Sequence, residues 1–156
     1  MRDFDPDAFF PRLWDAIGET GLMVTVAFAG AAVIGVLLGL LLYASRPGNL
    51  LQNRVVFGVL NLVINVIRPI PFLIVAIALI PLTRVVFGTG LGPLPQTIPL
   101  IVVACVAIAR VSESNLVAVS PGAIEAGAAM GASPARVLFS IVVPEALGPL
   151  TLGLTY

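Results

Sequence analysis

The chain has 156 residues, 59% hydrophobic and only 10% charged, with a formal net charge of zero. Soluble domains carry about 25% charged residues, so this chain has too little polar surface to cover a water-soluble globule and reads as integral to a membrane. With no basic patch, no Lys and no His, the composition excludes nucleic-acid binding, a GxxxxGKS/T phosphate loop, and the usual general base, nucleophile pairs and commonest metal ligand.

The amino terminus, MRDFDPDAFFPRLWD, is acidic and lacks the basic segment that opens a cleaved signal peptide. Residues 1–19 are expected to be an interfacial segment, with Trp14 at the membrane surface. From Thr20 to Ser45 there are 26 consecutive uncharged residues, and about 20 apolar residues cross a hydrocarbon core. The first span is therefore placed at 23–43, closed by a second interfacial aromatic, Tyr43. Ala27, Ala31, Gly35 and Gly39 recur every fourth residue. Such a stripe marks a dimer contact or, more commonly, close packing against another helix of the same subunit.

Pro47-Gly48 signals a turn, and Arg46 and Arg54 fit a cytoplasmic loop. A second span at 55–82 is interrupted by IRPIP, where Pro69 and Pro71 break or kink a helix. Asn61, Asn65 and Arg68 share one helical face. Polar groups at that depth face an interior or an aqueous path, so they are candidates for lining a translocation pathway, with Arg68 snorkelling or pairing inside the bundle as the alternative. A Gly- and Pro-rich outer loop, 83–97, precedes a third span at 98–117. Arg110 and Glu113 are spaced for an i,i+3 ion pair of structural kind, and Cys105 reads as a small buried hydrophobe. After Pro144 a fourth span begins, of which 146–156 offer only about a dozen residues, short of the ~20 needed to cross. A fragment or truncated product is the expectation. The fold class is all-α, a partial polytopic transmembrane helical bundle.

Between spans three and four, the loop 118–145 is rich in small residues. Ser120-Pro121 reads as a helix cap and first position, Gly131 as a left-handed stop, and Ser133-Pro134 as a second start, with Pro144 opening a third helix. This predicts a short helix, a corner, a second helix and a return into the bilayer. Ile124, Ala128 and Gly131 fall on one side of the first helix, with Glu125 and Ala129 beside them. Residues 121–132 hold no basic residue and only two sizeable apolar ones, Ile124 and Met130. That composition suits a protein partner better than a lipid surface.

The spacing E-A-G-x3-G-x9-I-x-V-P from Glu125 to Pro144 resembles the EAA motif of ABC-importer permease subunits, E-A-A-x3-G-x9-I-x-L-P, departing at Gly127 and Val143. Residues 63–92 and 124–150 are similar to the methionine-importing branch of that family. The resemblance implies a type I importer permease in the bacterial inner membrane, carrying methionine or a related amino acid. It implies a second permease copy, two cytosolic ATPase subunits and a substrate-binding lipoprotein or periplasmic protein as partners. ATP and Mg would be bound by the ATPases, leaving no cofactor in this chain. The ATPase-contacting coupling helix would comprise Ile124, Glu125, Ala126, Ala128, Ala129 and Gly131, with Ile141 and Pro144 setting helix packing. The competing function is a membrane scaffold or non-transporting permease fragment. An intramembrane enzyme is disfavoured, since Glu113, Glu125 and Glu145 are the only acids after Glu19.

Overall fold

The computed structural model describes residues 6–49 and 51–155, and among these every regular element is helical. The first helix, α1, spans Pro6–Ser45, about 60 Å at 1.5 Å per residue, twice the thickness of a hydrocarbon core. It continues unbroken through residues 6–19, so the described part of the expected interfacial segment is helical and continuous with the first span. Trp14 is exposed, whereas Tyr43 is buried at 3% exposure and packs inside the bundle, contrary to the surface position its type suggested. All four residues of the last turn, Leu42 to Ser45, are buried because elements pack on both sides.

That helix end is closed by its own loop. Asn49 donates its side-chain amide to the Tyr43 carbonyl (2.5 Å), and the backbone amides of Leu51 and Asn53 reach the carbonyls of Ala44 and Ser45. Three acceptors that a helix terminus leaves unpaired are thereby satisfied. Gly48, at φ +87°, makes the reversal that other residues resist. Asn53 then caps α2 (Arg54–Ile67), accepting from the amides of Val55 and Val56 at 3.1 Å.

The second span is broken. After Ile67 the chain turns by 108° into α3 (Phe72–Ala78), and α4 (Ile80–Phe87) follows across Leu79. Pro69 and Pro71 lack the amides that would continue the ladder. Gly88, left-handed at φ +75°, ends α4 by donating to the Arg84 carbonyl at 2.9 Å. Gly92 then leads into α5 (Pro93–Val117).

Helices α1 and α5 share the largest contact in the molecule and run parallel. Gly30 faces Ile101, Gly35 faces Cys105 and Ile108, and Gly39 faces Ala109 and Ser112. The stripe of small residues thus serves packing within the chain: Ala31 is fully buried, and a Cβ on Gly39 would lie 2.6 Å from the Ala109 carbonyl oxygen. One apolar cluster, built on Ala31, Leu42, Ile64, Cys105, Val106 and Ala109, joins α1, α2 and α5.

Beyond α5 come α6 (Pro121–Ala129), a corner, α7 (Pro134–Val137), a π-helical turn (Leu138–Val142) and α8 (Val143–Thr155). The last three form one helix of 22 residues, Pro134–Thr155, long and apolar enough to cross a membrane. This differs from the expectation of a new helix at Pro144 and a span of only a dozen residues. A proline ring clashes with the carbonyl four residues earlier, and the wider π turn just before Pro144 absorbs that conflict without ending the helix. The connecting loop shrinks accordingly, to about residues 118–133. Helix α8 returns antiparallel along α5, where Asn115 donates to the Pro149 carbonyl at 3.2 Å.

Candidate functional site

Two features meet at the end of the bundle where α1 and α5 terminate. The first is a polar network between helices. Arg110 on α5 donates through Nη1 to Glu113 Oε2 at 2.7 Å and through Nη2 to Asn65 Oδ1 at 2.7 Å and to Asn61 Oδ1. Glu113 is only 6% exposed, and its other oxygen lies 3.8 Å from Nη1 of Arg46, in the turn after α1. One carboxylate therefore stands between two guanidiniums from different elements, while two amides of α2 saturate the far side of Arg110. Breaking such a set by removing one partner leaves an uncompensated buried charge. The network borders an open cleft of about 420 Å³ lined by Arg46, Phe57, Asn61, Arg110, Glu113, Ser114 and Val117.

Of the three polar residues singled out on α2, the fold brings Asn61 and Asn65 together with Arg110. Arg68, exposed and one turn nearer the proline break, stands outside this network. The spacing of Arg110 and Glu113 pointed to their ion pair. The engagement of Arg46 and the two Asn was not legible, because it depends on α1, α2 and α5 converging. The available signal was complementarity, since polar pairs on two mostly apolar helices satisfy each other at least cost.

The second feature is α6. Pro121 occupies its first turn after Ser120, whose hydroxyl makes no capping bond, unlike Ser133, which accepts from the Arg136 amide. The helix ends where Gly131 turns left-handed at φ +76°. There the amides of Gly131 and Ala132 reach back to the carbonyls of Ala128 and Gly127 at 3.0 and 3.2 Å, closing it in the Schellman manner.

Two residues hold α6 down. Gly127 is buried, and the space its missing Cβ would fill is taken by Cδ1 of Ile141, from the π turn, with Val137 nearby. Ile124 is half-buried and packs, with Ile141 and Val143, on a second apolar cluster that includes Tyr43, Leu116, Val119, Val137 and Leu138. Ile124 therefore anchors the helix to its own chain through its buried side, a role its expected place on the contacting face did not include. Its i,i+3 relation to Gly127 turns both inward.

Glu125, Ala126, Ala128 and Ala129 are exposed, as is Gly131, and Met130 projects with 80% exposure. The outward face is thus small side chains with one carboxylate and one flexible thioether at its edges. Gly127 stands where the motif has Ala. It is the position of closest approach beneath the helix. Pro144 is exposed and acts through the π turn it follows.

The turn after α1 and the start of α6 face each other across a cleft of about 370 Å³, lined by Tyr43, Arg46 to Asn49, Val117, Val119, Pro121, Ile124 and Glu125. Among the described residues, no group of three His, Cys, Asp or Glu side chains gathers to hold a metal ion.

Comparison with known proteins places this geometry in context. A family model described as binding-protein-dependent transport system inner membrane component matches residues 31–156. The D-methionine transport system permease protein of Salmonella typhi is 40% identical over 131 residues, covering 84% of this chain and 60% of that protein. Its counterpart from Escherichia coli K12 is 38% identical over 140 residues, covering 88% of this chain and 64% of that one. The methionine import system permease protein of Bacillus subtilis is 39% identical over 155 residues, covering 99% and 70%. The chain thus spans about 60% of the length of the enterobacterial relatives. Among solved structures, an inward-facing MetNI methionine ABC transporter superposes with a TM-score of 0.86 at 37% identity, over 94% of this chain and 69% of the matched one.

Proposed function

Because the chain belongs to the family of binding-protein-dependent transport system inner membrane components, we propose that it works as the membrane permease of an ATP-driven importer for methionine or a related amino acid. The relatives named for methionine transport support the substrate class. The observation that carries the mechanism is α6: an exposed face of small residues, fastened from below by Ile124 and by Gly127 against Ile141.

In this reading a cytosolic ATPase receives α6 through Glu125, Ala126, Ala128, Ala129 and Gly131. Small side chains allow close backbone approach, and Glu125 provides a polar contact. ATP and Mg are held by that partner, and this chain contributes no catalytic group. Two permease copies pair with two ATPases, and a substrate-binding lipoprotein or periplasmic protein delivers the ligand at the opposite end, in the inner membrane of a bacterium. Closing of the ATPases displaces α6. Because Gly127 leaves no slack against Ile141, the displacement passes to the helix Pro134–Thr155 and from it to α5. Energy enters as differential contact in two states of the assembly. Asn61, Asn65 and Arg68 are proposed to border the pathway, the two Asn through their hold on Arg110.

The test has two parts. The permease is co-expressed with the ATPase and the pair purified, with retention of the ATPase expected. Labelled methionine uptake into vesicles is then measured in competition with other amino acids. A permease that binds no ATPase, or binds one and moves no amino acid, is a scaffold, and the importer reading fails.

A further inference from the structure

Arg46 is the one charged side chain that lines both clefts at this end of the bundle. On one side it approaches the buried carboxylate of Glu113 at 3.8 Å, longer than the 2.7 Å contact by which Arg110 holds the same group. On the other it lines the same cleft as Glu125, the exposed carboxylate of α6. Its side chain is 47% exposed, and a guanidinium carries five N–H donors, so capacity for a second acceptor remains. We propose that Arg46 is a positioning residue that exchanges between Glu113 and Glu125, linking the polar network of α1, α2 and α5 to the state of the docking helix.

The physical basis is balance. Glu113 already has a close partner in Arg110, so its claim on Arg46 is the weaker of its two ion pairs. Glu125 is solvated, and exposed ion pairs are individually weak. The cleft between turn and helix has the volume of about a dozen waters, at about 30 Å³ each, so the guanidinium crosses solvent and not packed protein. A weak contact to Glu113 and a solvated carboxylate across the cleft make an arrangement that a modest change at either end can tip.

The inference rests on α6 being the ATPase-docking helix. When a partner engages Glu125, Arg46 is released to close on Glu113, drawing the turn after α1 toward α5. When the partner withdraws, Arg46 is shared with Glu125 and that hold loosens. The loop bonds around Tyr43, Ala44 and Ser45 keep the turn rigid, so motion of Arg46 is transmitted to the end of α1.

A double-mutant cycle on the full-length permease purified with its ATPase tests this, reading substrate-dependent ATP hydrolysis for Arg46→Gln, Glu125→Gln and the pair. Each single change is expected to lower coupling about fivefold, the pair no further than the weaker single, and Arg46→Lys to recover most of the loss. Losses that multiply in the pair, or an Arg46→Lys protein as impaired as Arg46→Gln, overturn the exchange. Should a Gln variant fail to assemble, Arg46→Lys and Glu125→Asp, which keep both charges, decide: coupling near wild type in both supports the exchange, and losses as large as in the Gln variants overturn it. Wild-type permease that retains no ATPase refutes the docking reading itself, and is scored separately as co-purification before any variant is compared.

Discussion

The contact between α1 and α5 makes a graded prediction, because its glycines differ in how much room they leave. A methyl group added at Gly39 would sit 2.5 Å from Cβ of Ser112 and 2.6 Å from the Ala109 carbonyl oxygen. Ordinary contacts between such atoms lie at about 3.5–4.0 Å, so the helices must part by about 1 Å, and one obstacle is backbone that cannot rotate away. At Gly35 the nearest atoms lie at 2.7 and 2.8 Å, again including a carbonyl, that of Cys105. At Gly30 the nearest is Cδ1 of Ile101 at 3.0 Å, the movable tip of a side chain, and at Gly21 nothing lies within 4 Å.

Overpacking costs about 1–3 kcal/mol, and parting two helices along a seam lies at the upper end of that range. Gly39→Ala is therefore expected to destabilise by about 2–3 kcal/mol, Gly35→Ala by about 2, and Gly30→Ala by less than about 1. Gly21→Ala should stabilise by up to about 1 kcal/mol through helix propensity alone. Denaturant titration of the purified variants in one detergent, followed by helical circular dichroism, measures the series. A Gly39→Ala protein as stable as wild type, or a Gly21→Ala protein as unstable as Gly39→Ala, would refute the argument that steric contact with α5 sets these positions.

Other expectations follow from the remaining contacts. Gly131→Val forces a β-branched residue to φ +76°, at a cost of about 1–3 kcal/mol, and should weaken ATPase retention in co-purification. Gly127→Leu puts a side chain where Ile141 now sits; it should lower coupled ATP hydrolysis several-fold, and Ile141→Ala should restore part of it if the clash is local. Ser112 has a buried hydroxyl oxygen with no hydrogen-bond partner. Ser112→Ala should accordingly be neutral or stabilise by about 1 kcal/mol in the same denaturant titration, while a clear loss would show that the hydroxyl is bonded. Asn65→Leu withdraws one of two amide acceptors from Arg110 and should cost about 1 kcal/mol, more than Val66→Leu, where no side-chain bond is lost.

The polar network and α6 have a common structural logic. Both lie at the end where α1 and α5 stop, and both depend on residues that no single helix would place. Tyr43, Ala44, Leu116 and Val119 form a floor on which Ile124 and Ile141 rest. The helix that would receive force and the charges that tie α5 to α1 and α2 are thus carried by one packed unit, so displacement of either is felt by the other.

Much of this was written along the chain itself. Uncharged runs, turn signals and prolines marked the helices, because apolar length and missing amides act locally and need no tertiary partner. The corner at Gly131 and the cap at Ser133 were legible for the same reason, as was the i,i+3 pairing of Arg110 with Glu113. Only the folded chain decided that residues 134–155 form one helix, since a π turn at Leu138–Val142 relieves Pro144. It also turned Ile124 and Gly127 inward, buried Tyr43, and gathered Arg46, Asn61 and Asn65 around the Arg110–Glu113 pair. Those outcomes depend on which faces of distant helices meet. Helical period alone leaves that open, because each residue's neighbours three and four along are set by the backbone, while its neighbour across a contact is set by packing.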